Sequence, residues 1–249
     1  MTPYWSNEEH GLEIHLGDCL KIMPQLEQEF DCFLTDPFYG VDGGRGGQAR
    51  ERGKARYIDA EWDDTPEAVA EVAVPVVEQC IALCERGAVT PGIVCMSLYP
   101  TPADIGCFWT PAAMGRGPWG FTAFNPILYY GKDYRAGIGA WPTGRQVTER
   151  SDASSHPCPK PIGAWSWLLE KVSQKGELVL DPFLGSGTTL VACYRLGRRG
   201  VGIEISEEYC ELAAKRLEGA TTQGRLFEPQ EVAEAKPVQS QMDTWPEEE

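Results

Sequence analysis

The chain has 249 residues, 42% hydrophobic and 24% charged, which is enough for one good-sized globular domain without calling for a second core. A formal net charge of −15 excludes a protein that coats nucleic acid by bulk electrostatics, though it leaves room for local basic contacts. No apolar run reaches the ~20 residues needed to cross a bilayer, so no membrane partner is expected.

The start, MTPYWSNEEHG, is polar and acidic and does not read as a signal peptide. Nine cysteines at irregular spacing, with no CxxC, fit reduced intracellular thiols better than a disulfide framework. His156 and Cys158 are close, but the spacing offers them no metal-ligand partners, so no metal is expected. A cytoplasmic location follows from these features.

In chain order, Leu12 to Leu16 reads as a strand closed by Gly17-Asp18, and Cys19 to Leu26 as a short helix. Asp31 to Thr35 reads as a second strand, ending on Asp36-Pro37-Phe38-Tyr39-Gly40. Strand, helix, strand is the grammar of a parallel sheet. Residues 41–60 are rich in glycine and basic side chains and have no hydrophobic period; a mobile basic loop is expected there. Its Arg45, Arg50, Arg52, Lys54 and Arg56 are candidate DNA contacts.

Thr65 to Leu83 has helical spacing and a good amino-terminal start at Thr65-Pro66-Glu67, with a kink or break expected at Pro75. Gly92 to Leu98 reads as a strand, Ala103 to Met114 as a poor helix, and Phe124 to Tyr130 as a strand. The stretch 131–155 looks irregular and is the expected place for a short target-recognition region. Pro161 to Val172 reads as a helix.

Leu178 to Glu204 organises the rest. Leu178-Val179-Leu180 is a buried-strand composition, which Asp181-Pro182 ends because proline lacks a ladder N–H. Gly185-Ser186-Gly187 makes a turn that lets a ligand approach the backbone, Thr188-Thr189 can cap the next helix, and a second strand from Gly200 carries Glu204 near its end. This arrangement suits an adenosine-bearing cofactor, with loop amides at its polar end and a carboxylate for ribose hydroxyls. Asp18, Asp36, Asp181 and Glu204 all stand at expected strand ends, where an α/β sheet lines its ligand crevice. Beyond Ala220 the chain is acidic and polar, and 221–249 is expected to be a disordered tail following a domain over 1–220.

The Asp36 turn has its own chemistry. An amino group on adenine or cytosine is a poor nucleophile because its lone pair is delocalised into the ring. A carboxylate and the carbonyl of the following proline can accept its two N–H groups and aim the lone pair at a methyl donor. An aromatic side chain beside them offers a stacking face for a flipped-out base.

TDPFYG, HPCPKP, LDPFLGSGTT and GIEISEEYCELAAKRL, in that order, resemble the amino-group DNA methyltransferases, and catalytic turn before cofactor loop is the order of their β-class. The resemblance spans roughly Leu12 to Leu217. It implies a Rossmann-like α/β fold with a seven-stranded, mostly parallel sheet, helices on both faces and a circularly permuted motif order. It also implies S-adenosyl-L-methionine as cofactor and DNA as substrate, in a bacterial or phage-type enzyme.

Carried over, it makes Asp36, Pro37, Phe38 and Tyr39 catalytic, with Phe38 standing where the family has a second proline. Asp18 would lie near the cofactor's adenine and Lys160 and Pro161 near its methionine end. Asp181, Pro182, Phe183, Gly185, Ser186, Gly187 and Thr188 would form the pocket, and Glu204 would hold the ribose. An acid at the first position of the turn favours adenine N6 in the family. Cytosine N4, or a catalytically inactive binding module, is the alternative. Pro157-Cys158 falls in the slot of the family's HPxxKP string and is not read as a C5-cytosine nucleophile. The short recognition region leaves room for a homodimer. Gln223-Gly224-Arg225-Leu226-Phe227 looks like a peptide that docks on bacterial sliding clamps.

Overall fold

The computed structural model describes residues 1–41, 64–111, 115–117, 120–134, 142–149 and 160–222. Arg45, Arg50, Arg52, Lys54 and Arg56, part of the 131–155 stretch, His156 to Cys158, and Gln223 to Phe227 with the tail beyond lie outside the described residues.

In chain order the elements are β1 (Trp5–Asn7), β2 (Leu12–Leu16), α1 (Cys19–Ile22), β3 (Phe30–Thr35), a helical entry over Pro66–Ala68 and Val69–Ala73, and α2 (Val74–Leu83). There follow β4 (Cys84–Val89), β5 (Asp104–Trp109), β6 (Gly115–Gly117), β7 (Gly120–Thr122), β8 (Phe124–Gly131) and β9 (Arg145–Gln146). The last are α3 (Ile162–Val172), β10 (Leu178–Asp181), α4 (Thr188–Leu196), β11 (Arg199–Glu204) and α5 (Glu207–Thr222).

The main sheet has the order β1-β2-β11-β10-β3-β4-β8-β5-β9, and β6 with β7 forms a separate pair. Seven strands carry the sheet. The other two, β1 and β9, are edge additions of 3 and 2 residues. From β2 through β4 all pairs are parallel, and β8 runs antiparallel between β4 and β5. This is the Rossmann-like α/β fold.

Strand side chains alternate between two buried faces. Val179, Cys32, Leu34 and Ile14 pack with Trp165, Leu168, Leu190, Ala213 and Leu217 of α3, α4 and α5. Leu178, Leu180, Phe33 and Ile203 pack on the other face with Ile22, Val69, Val76, Val77 and Cys80. Near Pro75 the helix adopts a π turn, Val74 N–H bonding to the Val69 carbonyl. The missing N–H of Pro75 removes the ordinary partner at that point, so the break expected there is taken up as a wider turn.

Two elements differ from the sequence reading. Gly92 to Leu98 is not a strand: Gly92 has φ +69° and Met96–Leu98 is a 3-10 turn. The strand is Cys84–Val89, directly after α2. Its CERGAV sequence looks polar because Arg86, buried, pairs with Glu177 and donates to the Val172 carbonyl at 2.9 Å. Ala103 to Met114 is not a helix either. Asp104–Trp109 pairs with β8 over six residues, so tertiary pairing overrides a weak local preference. Helix α5 also runs on to Thr222, into the segment expected to be disordered.

The site follows from the winding. After β10 the chain crosses through α4 to β11 on one side, and after β3 it crosses through α2 to β4 on the other. The crevice at the carboxyl ends of β10 and β3 is therefore a topological switch point, where such sheets bind ligands.

Candidate active site

Two turns face that crevice. The first leaves β3 at Thr35. The Tyr39 hydroxyl donates to Asp36 Oδ1 at 2.7 Å, and Thr90 Oγ1 donates to the same oxygen. Lys160 Nζ lies 2.7 Å from Asp36 Oδ2 and 2.7 Å from the Tyr39 hydroxyl oxygen, which also accepts from Asn125 Nδ2 at 3.1 Å. With two donors on its oxygen, Tyr39 has its own proton to give, and it goes to Asp36. Burial, reinforced by the charge of Asp36, pushes Tyr39 up to about 12, so it stays a donor. Burial works to lower the pKa of Lys160, but Asp36 and Tyr39 together outweigh it and the net shift is upward.

The turn is pinned at its exit, where the Gly40 N–H donates to Asp64 Oδ1 at 2.5 Å. Gly92 makes room for the tyrosine, since a Cβ there would fall 2.6 Å from Tyr39 Cγ. Phe38 packs edge-on against Phe183, with centroids 6.1 Å apart. The residue that departs from the expected second proline thus ties the first turn to the second by ring contact.

The second turn leaves β10 at Asp181. Its Oδ1 accepts from Thr35 Oγ1 at 2.7 Å and from the Phe183 N–H at 3.1 Å, and its Oδ2 from Thr189 Oγ1 at 2.5 Å. Trp165 Nε1 in turn donates to Thr189 Oγ1 at 2.8 Å. Burial raises the Asp181 carboxyl to about 6; the three hydrogen bonds work against the shift. Gly185 and Gly187 have φ +54° and +83°, and Gly187 lies against α5, where its Cβ would come within 2.8 Å of Ala213 Cβ. Arg216 Nη1 on α5 donates to the Ser186 carbonyl at 2.5 Å and to its hydroxyl at 2.9 Å.

Glu204 braces the loop from β11. Its Oε2 accepts from the Gly185 N–H at 2.8 Å and its Oε1 from the Ser206 N–H at 2.9 Å. Burial raises its pKa, while those backbone donors oppose the shift.

Asp36, Lys160, Asp181, Phe183, Gly185, Ser186 and Thr188 line one cleft, together with Trp165, Leu184 and Thr189. Tyr39 joins through its bonds to Asp36 and Lys160. Asp18 does not line it. Its side chain caps α1 by accepting from the Leu20 N–H at 3.0 Å and pairs with Lys21 at 3.1 Å. Pro161 starts α3, its carbonyl taking the Trp165 N–H at 3.0 Å. Sequence reasoning missed Thr35, Thr90, Asn125, Thr189 and Arg216. Thr189 had a signal, the TT pair after the glycine turn, and Thr35 and Arg216 lie inside the strings TDPFYG and GIEISEEYCELAAKRL; Thr90 and Asn125 are single polar residues in otherwise unmarked segments.

A DNA methylase family model, for the amino-directed (N6/N4) branch, matches residues 121–215, a stretch that holds Asn125, Lys160 and the whole turn from Asp181 to Glu204. Over those residues the chain is similar to this family. Among curated relatives, type II methyltransferase M2.DpnII of Streptococcus pneumoniae is 47% identical over 26% of this chain and 25% of its own length. Type II methyltransferase M2.MboI of Moraxella bovis is 44% identical over 34% of this chain and 28% of its own. The matched part is thus about a quarter of each relative. The solved PvuII DNA methyltransferase, titled cytosine-N4-specific, superposes with a TM-score of 0.62 at 15% identity, over 88% of this chain and 93% of that one. A complex of M1.HpyAVI with SAM gives 0.57 at 18% identity, over 83% and 99%. At those identities the likeness is one of fold.

Proposed function

We propose that the chain transfers a methyl group from S-adenosyl-L-methionine to an exocyclic amino group in DNA, adenine N6 ahead of cytosine N4. The observation that carries this reading is that the Asp36–Tyr39 turn and the Asp181–Thr189 loop border a single cleft, although they lie far apart in the chain.

The residues fit the cofactor. Gly185 and Gly187 leave the loop backbone open to close approach, and the Glu204 carboxylate keeps acceptor capacity beyond its bonds to the Gly185, Ile205 and Ser206 N–H groups, available to ribose hydroxyls. Asp181, Phe183, Ser186 and Thr188 form the wall and Lys160 the opposite lip, while Pro182, Pro161 and Asp18 stand outside the lining. Bound there, the cofactor supplies an electrophilic methyl on a sulfonium.

The chain's own residues prepare the nucleophile. Tyr39 offers a stacking face for the flipped base, and Asp36 with the Pro37 carbonyl accepts the amino N–H groups. Asp36 also takes the proton that the nitrogen sheds as it is methylated. Positioning dominates such a displacement. Arg45, Arg50, Arg52, Lys54 and Arg56 would supply phosphate contacts, which a chain of net charge −15 needs locally.

The test is incubation of the full chain with labelled cofactor and unmethylated mixed-sequence DNA, followed by mass spectrometry of the nucleosides. N6-methyladenine is the expected product. N4-methylcytosine would move the reading to the other base, and absence of label would leave a binding module.

A further inference from the structure

Asp36 is asked to accept an amino N–H, yet most of its acceptor capacity is already taken. A carboxylate offers about four lone-pair sites, two on each oxygen. Oδ1 has both filled, one by the Tyr39 hydroxyl at 2.7 Å and one by Thr90 Oγ1. The Tyr39 proton is committed to that bond because Lys160 and Asn125 already donate to its oxygen. On Oδ2, Lys160 at 2.7 Å fills one site. Among the bonds made by the described residues, the one open site is therefore on Oδ2.

We infer that Thr90, just past the end of β4 and beside the catalytic turn, is a positioning residue that seals Oδ1 of Asp36, so that Oδ2 alone receives the target amino group. The placement is built into the sheet. The β3–β4 register sets Thr35 opposite Val89, and the Thr90 N–H continues the ladder to the Thr35 carbonyl at 3.2 Å. This puts Thr90 beside Asp36, and it is fully buried there. Its hydroxyl is a donor to a carboxylate, and no hydrogen bond from its hydroxyl to another described residue competes. Without it, Oδ1 regains a free site and a base can dock on the wrong oxygen, with its nitrogen turned away from the methyl donor. The target still binds, but fewer complexes are aligned. The inference rests on the amino-methyltransferase reading above.

The test compares wild type, Thr90→Val and Thr90→Ser, measuring kcat and KM for DNA by label transfer and cofactor Kd by calorimetry. Thr90→Val keeps the shape and removes the donor. Its kcat should fall on the order of 10- to 100-fold, with KM and cofactor Kd within about 2-fold of wild type. Thr90→Ser keeps the donor and should recover kcat to within about 3-fold. If Thr90→Val does not fold, Thr90→Ala against Thr90→Ser is read in the same way. A valine variant at wild-type kcat overturns the inference. So does a serine variant as slow as the valine one, or a loss that appears in KM and Kd instead of kcat. A wild-type chain that methylates no DNA is a different failure, overturning the function and the role of Thr90 together.

Discussion

Lys160 and Asp36 form an ion pair of 2.7 Å that is about four-fifths withdrawn from solvent, the side chains being 19% and 24% exposed. The lysine lies two residues before the start of α3 and the aspartate immediately follows β3, so the pair joins the far lip of the cleft to the Asp36 turn. Among the described residues, removing the acid leaves the ammonium with the hydroxyl and ring face of Tyr39. Asp36→Ala should therefore lose transfer by at least ~10²-fold and also lose about 1–3 kcal/mol of stability. Cofactor Kd should hold, because among the described residues Asp36 bonds to Tyr39, Thr90 and Lys160 and not to the loop that begins at Asp181. In Asp36→Ala/Lys160→Met the stability should largely return while transfer stays absent. Label transfer, calorimetry and urea unfolding on the three proteins check this.

Glu204 makes a prediction of the opposite kind. It touches the loop after β10, through the Gly185 N–H, and among the described residues has no hydrogen bond to the Asp36 turn. Glu204→Ala should weaken the cofactor by about 10- to 100-fold, since each charge-assisted hydrogen bond is worth about 1.5–3 kcal/mol. At saturating cofactor kcat should recover most of its value. A variant with an unchanged cofactor Kd by calorimetry would remove Glu204 from the site.

Gly187 tests the loop's backbone. It sits at φ +83°, and a methyl there would meet Ala213 Cβ of α5 at 2.8 Å. Gly187→Ala should cost about 1–3 kcal/mol from the left-handed conformation and the forced shift together. Part of that should appear as weaker cofactor binding, because the shift displaces the loop that Arg216 and Glu204 hold. Paired urea unfolding with and without cofactor measures both parts.

The two turns were legible because each is a contiguous string whose residue types have few other uses together, as in DPFY and DPFLGSGTT. The residues that orient them were not. Thr90 and Asn125 are one polar residue each, on β4's exit and in β8, and they matter only because the sheet order sets those strands beside β3. The strand β4 was hidden for a related reason. Arg86 looks like a surface residue until Glu177, 91 positions later, is folded against it. Gly106 shows the same dependence on distant chain, since a Cβ there would strike the Thr143 carbonyl and only glycine permits β5 to pack. Local pattern announces what a segment binds; long-range pairing decides what holds it in place.

Asp181 carries the pH prediction. Its carboxyl stands at about 6 in the folded protein, chiefly through burial, against 3.8 for an ordinary aspartate. The folded state thus holds this proton between those two values while the unfolded state has released it. Stability from this group is complete below about pH 4 and is lost as pH rises through about 6, the reverse of the usual salt-bridged carboxylate. At about 1.4 kcal/mol for each unit between the two values, the loss is on the order of 3 kcal/mol. Other acids titrate in the same window, so the reference is Asp181→Asn, which keeps the shape without the proton. The stability of wild type minus that of the variant, from urea unfolding at each pH, should fall between pH 4 and 6.5 and stay flat above. A flat difference throughout would mean that the Thr35 and Thr189 hydroxyls and the Phe183 N–H fully offset the burial, leaving Asp181 an ordinary ionised acid at the base of the loop.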